Sequence, residues 1–189
     1  MNKEMTAEKL LKIYRDLEDM GIRITLDGGW GVDALLGKQT RLHKDIDFLT
    51  ERKDLSKVKS YFANKGYVLS ESEPADERHF VLEGPDGIAD IHVIEFDDRG
   101  KALYVTPGKE SSFPREAFKG TGTINGVKVR ALTPEFRIEC LTRAYGVVVR
   151  TGYVLSEKDY KDLSAISEKF DIPMPQEYLD DMFARDIEL

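Results

Sequence analysis

Several features that are common in proteins are scarce or missing in this sequence. Its 189 residues include one cysteine, Cys140, which excludes an internal disulfide bond and fits a reducing compartment. No apolar run approaches the roughly 18 residues that a membrane-spanning helix needs. The first residues, 1–6, hold no apolar signal region. These features predict a cytoplasmic protein that has no membrane partner.

An excess of basic charge is also missing. The chain has 28 Lys and Arg residues against 35 Asp and Glu residues, which gives a net charge of -7 at pH 7. It therefore lacks the basic footprint of nucleic-acid-binding domains, which argues against a nucleic-acid partner. An acidic surface is compatible with a cationic small-molecule substrate, although it is also an ordinary way for a protein to stay in solution. A hydrophobic content of 41% is typical of a folded globular protein.

The order of the apolar patterns predicts an α+β protein in two parts. Ile22, Ile24 and Leu26 alternate with Arg23, Thr25 and Asp27, which is typical of a half-buried strand, and Ile88–Ile94 reads as a further strand after the turn signal Gly84-Pro85-Asp86-Gly87, which favours a hairpin. The pair Asn125-Gly126 predicts a hairpin with a type I′ turn, whereas residues 100–118 read as loop. We therefore expect a sheet-containing part over residues 1–132 and a helical part over residues 133–189, where the apolar period becomes helical.

The segment Leu26–Leu35 reads as the end of a strand, a glycine turn and a helix of about two turns that stops at Gly37. Gly28 and Gly29 let the backbone turn sharply and approach a ligand closely. The amides that open the following helix have no partner within the helix and favour an anion such as phosphate. The segment therefore predicts a phosphate cradle.

Two carboxylates share one face of the next predicted strand. Because successive side chains in a strand alternate faces, Asp45 and Asp47 project to the same side. Oxygen ligands of this kind suit Mg²⁺, which binds through carboxylates and substrate phosphates. Asp90 is a third acid in an apolar strand, where lone acids are normally paired or bind a metal. Three such acids can hold two Mg²⁺ ions that bridge the phosphates of a nucleotide, and Asp90 can also take a proton from an attacking hydroxyl group.

These motifs together resemble a known family. The resemblance to the small lincosamide nucleotidyltransferases, in the DNA polymerase β-like nucleotidyltransferase superfamily, rests on Gly28-Gly29-Trp30-Gly31-Val32-Asp33, Gly37-Lys38-Gln39, Arg41, His43, Asp45-Ile46-Asp47 and Asp90-Ile91-His92. The 2″-aminoglycoside nucleotidyltransferases share the Gly-Gly-Trp and Arg-x-His-x-Asp-x-Asp portions. The specific match covers roughly residues 20–95.

The resemblance implies a nucleotidyltransferase fold, with a mixed β-sheet flanked by helices. It implies a catalytic domain over residues 1–132 and a C-terminal helical region over residues 133–189. The expected reaction transfers a nucleoside monophosphate, most plausibly AMP, from an NTP such as ATP to a hydroxyl group of a lincosamide or aminoglycoside, and releases pyrophosphate. Two Mg²⁺ ions would assist. Because the small relatives tend to be dimers, the resemblance favours a homodimer.

The motif match also assigns roles to individual residues. Asp45 and Asp47 would be metal ligands, and Asp90 would be a third ligand or the general base. The groups expected at the phosphates of the nucleotide are Gly28, Gly29, Arg41, Lys44 and Lys161. Because both antibiotic classes carry amine cations, the acidic segments Glu71–Glu77 and Glu95–Asp98 suit such an acceptor.

Of four further residues, three have two interpretations each. His43 and His92 can be metal ligands or outer-shell donors, but a hydrogen-bonded structural role suits them equally. Trp30 reads as a core residue that packs the short helix on the sheet, with stacking on the substrate as the alternative. Asp33 reads as a first-turn residue whose charge interacts with the helix dipole.

Three other functions compete with this interpretation. The segment Gly29–Ala34 formally fits the glycine pattern of dinucleotide-binding oxidoreductases, but the helix is short and no second βαβ half is visible. A nucleotidyltransferase of the same fold can instead modify tRNA, protein or another metabolite, as toxins do. A non-catalytic module that binds a nucleotide is the third alternative, and it has to explain three aligned acids.

Overall fold

The computed structural model describes residues 4–71, 78–106, 109–141 and 155–187. The chain divides into two compact units, Met1–Leu132 and Thr133–Leu189. In the described ranges, the first unit contains all the strands and the second contains helices. The catalytic role of the first unit stays a prediction. Across the described ranges, no helix is both long and apolar enough to span a membrane.

The described part of the first unit contains three α-helices and a set of strands. The helices are α1 (Ala7–Asp19), α2 (Gly28–Leu36) and α3 (Leu55–Asn64). The strands are β1 (Ile24–Leu26), β2 (Asp45–Glu51), β3 (Val68–Leu69), β4 (His79–Gly84), β5 (Gly87–Phe96), β6 (Lys101–Thr106), β7 (Lys109–Pro114), β8 (Thr121–Ile124) and β9 (Val127–Arg130). The described helices of the second unit are α4 (134–141), α5 (Glu157–Phe170) and α6 (Gln176–Ala184).

Seven strands form one mixed sheet. Its central strand order is β1-β2-β5-β4-β3. Strand β6 pairs with the C-terminal end of β5, and β7 pairs with β6. Strands β2 and β5 are parallel, whereas β1 pairs with β2 and β4 pairs with β5 in the antiparallel sense. The α+β class and the mixed sheet predicted from the sequence are confirmed.

The two faces of the central strands differ in burial. On one face, side chains such as Ile46 and Phe48 of β2 and Ile91 of β5 are fully buried. Helix α3 packs on this face, where the rings of Phe48 and Phe62 stack with centroids 6.1 Å apart. The opposite face of β2 and β5 carries the half-buried aspartates. The three carboxylates therefore lie on the face opposite this apolar cluster.

The hairpin predicted from Asn125-Gly126 is confirmed as β8–β9. Both turn residues have positive φ, 47° for Asn125 and 76° for Gly126, as a type I′ turn requires. The hairpin packs closely on α2, since a Cβ atom at Gly122 would lie 2.0 Å from the carbonyl oxygen of Ala34. The hairpin thus supports the helix that follows the glycine pair.

The prediction of loop over residues 100–118 is wrong. Most of this stretch is the β6–β7 hairpin, followed by a 3₁₀ turn over Arg115–Lys119. The sequence of β7, Lys-Glu-Ser-Ser-Phe-Pro, lacks alternating apolar residues, so its strand character comes from backbone pairing with β6. Such pairing has no signature in local side-chain periodicity.

A cluster of charges around Asp16 joins α1 to α3. Its carboxylate accepts hydrogen bonds from Lys12 Nζ at 3.0 Å and Tyr61 Oη at 2.9 Å, and it lies 3.0 Å from Lys65 Nζ. Burial raises the pKa of the Asp16 carboxyl, but the hydrogen bonds from these three side chains outweigh burial and lower the pKa to about 2. The ordinary value is 3.8.

This shift predicts a pH-dependent contribution to stability. Because the folded state binds the Asp16 proton more weakly than the unfolded state, the contribution is present above the unfolded pKa and is lost as pH falls from about 4 to about 2. We expect Asp16→Asn to lower the free energy of unfolding more at about pH 7 than at about pH 3. Urea titrations at both pH values measure this difference, with Asp19→Asn, an exposed change on the same helix, as the control. An equal loss at both pH values would contradict the assignment.

Candidate active site

Two of the predicted site residues face each other across neighbouring strands. In the parallel pair β2–β5, Asp47 is the register partner of Asp90. Asp45 lies two residues earlier on β2, so its side chain projects from the same face. All three side chains are half-buried. The sheet thus brings the three predicted carboxylates together on its less buried face.

The start of α2 lies directly against one of these carboxylates. Gly28 is the first residue of the helix and has φ +53°, and a Cβ atom there would lie 2.0 Å from Asp47 Oδ2. The backbone N–H of Asp27 donates to the carbonyl oxygen of Asp47 at 2.9 Å, which fixes the helix start beside β2. The glycines therefore form the first turn of the helix rather than a separate turn before it. The predicted stop at Gly37 is confirmed by its left-handed conformation.

The guanidinium of Arg41 lies at the same helix start. A Cβ atom at Gly29 would lie 2.6 Å from Arg41 Nη2 and 2.6 Å from the His43 ring, so a larger residue there would displace these side chains. Lys44 is exposed and directly precedes β2. A guanidinium beside the first amides of a helix is a combination that binds phosphate well. The helix start, Arg41 and Asp47 therefore form one continuous surface.

A buried pair supports the loop that carries Arg41. Asp33 is fully buried, and its carboxylate lies 2.6 Å from His43 Nε2. The same carboxylate accepts hydrogen bonds from the backbone N–H and the hydroxyl of Thr40, at 3.1 Å and 2.5 Å. The interpretation of Asp33 as a first-turn residue is wrong, because the helix begins five residues earlier, at Gly28. The Asp33 carboxylate stabilises the loop over residues 40–43 through these contacts, and it does not lie near the helix N-terminus, where it would interact with the helix dipole.

Trp30 and His43, which the sequence suggests as possible site residues, lie in the interior. Trp30 has no exposed surface, and its ring lies 4.3 Å from that of His43. His43 is also buried. Trp30 thus lies in the core, and His43 lies at hydrogen-bond distance from Asp33. The roles of both residues toward a metal or substrate stay predictions.

The sequence interpretation missed one residue of the site, His79. Its Nε2 lies 2.8 Å from Asp90 Oδ1, and Nε2 of His92 lies 3.3 Å from the same oxygen. The turn signal Gly84-Pro85-Asp86-Gly87 in the sequence could have located it. A two-residue connection that pairs Gly84 with Gly87 also places His79 opposite His92.

The remaining predicted residues belong to other elements or lie outside the described residues. Lys161 is on α5 in the second unit, where its ammonium lies 2.5 Å from Glu157 Oε1. In the acidic segment Glu95–Asp98, Glu95 pairs with Arg52 at 3.2 Å. Of the segment Glu71–Glu77, residues 72–77 lie outside the described residues. The roles predicted for these groups stay predictions.

A cavity of about 250 Å³ lies further along β2 and β5. Leu49 and Ile94 contribute to its walls from the same sheet face as Asp47 and Asp90. Its basic lining residues are Arg23, Arg115, Lys119 and Arg130, against the acidic side chain of Glu51. This charge does not fit a cationic acceptor, so we do not assign the acceptor to this cavity.

The sequence is similar to those of known proteins. Residues 9–166 match the family model described as aminoglycoside-2″-adenylyltransferase. A lincosamide resistance protein of Staphylococcus haemolyticus is 30% identical over 163 residues, which is 86% of this chain and 94% of that protein.

Solved structures show the same fold. The lincosamide antibiotic adenylyltransferase LnuA, solved with lincomycin bound, is 27% identical and has a TM-score of 0.70, with 87% of this chain and 98% of LnuA covered. ANT(2″)-Ia in complex with adenylyl-2″-tobramycin is 20% identical and has a TM-score of 0.67, with 95% of each chain covered. The predicted nucleotidyltransferase fold is confirmed.

Proposed function

The chain belongs to the aminoglycoside-2″-adenylyltransferase family, and from this premise we propose that it transfers AMP from ATP to a hydroxyl group of a lincosamide or aminoglycoside antibiotic. In this reaction the hydroxyl oxygen forms a bond to the α-phosphorus of ATP. The bond from that phosphorus to the bridging β-phosphate oxygen breaks, and pyrophosphate leaves. The hydroxyl proton passes to a base on the enzyme.

The observation that carries the proposal is the meeting of Asp47, Asp90 and the start of α2. Because Asp47 and Asp90 are register partners, their carboxylates flank one point on the sheet face. Gly28 brings the helix amides to the edge of the same point. A triphosphate laid along this surface has amides and the Arg41 guanidinium on one side and the carboxylates on the other. Lys44 and Lys161 are proposed as further cationic contacts.

The carboxylates fit a Mg²⁺ centre. Asp45, Asp47 and Asp90 supply the oxygen ligands that Mg²⁺ prefers, and Gly28 leaves around Asp47 a space that a Cβ atom would fill. Bound Mg²⁺ would neutralise negative charge on the phosphates as it develops during displacement. We propose two ions, held by these three aspartates.

Asp90 is the proposed proton acceptor or third metal ligand. A neutral imidazole donates one N–H, and Nε2 of His79 lies at hydrogen-bond distance from Asp90 Oδ1. This bond fixes the carboxylate orientation, so the second oxygen can face the acceptor hydroxyl. A base held in this way is ready to receive the proton as the new phosphorus–oxygen bond forms.

The acceptor is proposed from the relatives. The 30% identical protein confers lincosamide resistance by its name, and the 27% identical enzyme was solved with lincomycin, so we expect a lincosamide to be the better acceptor. Nothing in the comparisons supports the alternatives of a tRNA- or protein-modifying enzyme or a non-catalytic module. A homodimer stays a prediction, which light scattering of the purified chain would test.

Pyrophosphate release tests the proposed function. The chain is incubated with Mg²⁺, each of the four NTPs and a panel of lincosamides and aminoglycosides. We expect release that needs both ATP and one antibiotic class and that stops when EDTA removes the metal. Release without any antibiotic, or none with any member of the panel, would contradict the proposal.

A further inference from the structure

Three side chains on β4 and β5 converge beside the proposed centre. His79 and His92 are register partners on the two strands, and their rings stack with centroids 4.6 Å apart. Both Nε2 atoms point to one oxygen, Asp90 Oδ1, at 2.8 Å and 3.3 Å. Within the described part of the chain, these three side chains form a group of potential metal ligands, and their ligand atoms all lie within 4.8 Å of one another.

The donor set differs from that of the Mg²⁺ centre. Mg²⁺ prefers oxygen ligands, whereas two imidazole nitrogens and one carboxylate oxygen suit Zn²⁺ and similar transition-metal ions. Ligands about 2.1 Å from a tetrahedral zinc ion lie about 3.4 Å from each other. The two nitrogens lie 2.8 Å and 3.3 Å from the Asp90 oxygen, and all three ligand atoms lie within 4.8 Å of one another, so small side-chain shifts would complete the arrangement.

The three side chains can be reached from solvent, and they include two of the three histidines in the sequence. The side chains of His79, Asp90 and His92 are 26%, 27% and 19% exposed, so an ion can enter from solvent. The sequence contains three histidines, and the third, His43, is buried against Asp33. Two of the three imidazoles therefore converge here, and the other is already engaged in the interior.

We propose that His79, Asp90 and His92 bind Zn²⁺ as three protein ligands, with the fourth position left for water. Asp90 is shared with the proposed Mg²⁺ centre. Zinc at this site takes the Asp90 carboxylate away from the transfer reaction, so zinc occupancy inhibits AMP transfer. The zinc site itself stands on the three side chains and does not depend on the proposed function.

Calorimetric titration of the untagged, EDTA-stripped chain with ZnCl₂ tests the site without any nucleotide or antibiotic. We expect one Zn²⁺ per chain, and an affinity that falls by about 100-fold in His79→Gln and in His92→Gln because each variant loses one ligand. Asp45→Asn is the matched control, since it removes a proposed Mg²⁺ ligand but leaves the three zinc ligands in place. Its zinc affinity should equal that of the wild type.

Two further readings complete the experiment. Co²⁺ substituted for Zn²⁺ should give the visible absorption of a tetrahedral site in the wild type and in Asp45→Asn, and lose it in both histidine variants. Circular dichroism checks that each variant is folded. Equal zinc affinity in wild type and histidine variants, or no zinc binding by the wild type, would overturn the site. Zinc binding without inhibition of an active enzyme would overturn the competition for Asp90.

Discussion

Replacement of Asp47 by asparagine is expected to lower the rate of AMP transfer by about 10³-fold. Asparagine has nearly the same shape, but its neutral amide cannot hold a divalent cation against the phosphates. The loss of several kcal/mol of charge stabilisation at the transition state corresponds to this factor. Because Asp47 is half-buried on the less buried sheet face, the fold should tolerate the change.

The measurement is kcat/KM for AMP transfer, alongside a urea titration of each protein. Asp19→Asn makes the same chemical change at an exposed position on α1 and should keep the wild-type rate. If Asp47→Asn retained activity within about tenfold of the wild type, the assignment of Asp47 to the metal centre would be wrong.

Replacement of Asp33 by alanine is expected to lower the free energy of unfolding by about 3 kcal/mol. The change leaves the buried His43 imidazole and the Thr40 hydroxyl without the carboxylate that they contact at 2.6 Å and 2.5 Å. Unsatisfied buried polar groups each cost about 1–3 kcal/mol. Since the loop between these residues carries Arg41, transfer activity should fall as well.

Urea denaturation measures this effect, with Asp33→Asn as the matched variant. The asparagine keeps a carbonyl oxygen and the shape of the side chain, so it should be less destabilising than alanine. A loss below about 0.5 kcal/mol for Asp33→Ala would show that the buried pair does not hold the loop.

The carboxylate face was predictable because it follows from local periodicity. The alternation of β2 places Asp45 and Asp47 on one side whatever the strand pairs with. The register of Asp47 with Asp90 was not predictable in this way, because β2 and β5 are parallel and far apart in the chain. Parallel pairing is decided by the packing of the whole sheet, which no local pattern records.

The positions of Asp33 and His79 were not predicted from the sequence, for two different reasons. Asp33 was given the wrong role because the glycine pair was expected to form a turn before the helix, whereas Gly28 begins the helix itself. The position of His79 follows from the turn at Gly84-Pro85-Asp86-Gly87, because a hairpin with this connection places His79 opposite His92. In the first case tertiary contact with Asp47 determines the local structure, and in the second the information was present but unused.

The proposed transfer of AMP to an antibiotic can be measured as a change in the mass of the acceptor. Lincomycin is incubated with the chain, ATP and Mg²⁺ and is then analysed by mass spectrometry. We expect lincomycin, or an aminoglycoside run in parallel, to gain the mass of one adenylyl group, and Asp47→Asn to give no such product in the same time. Unmodified antibiotics with the wild-type chain, or the same product with Asp47→Asn, would contradict the proposal.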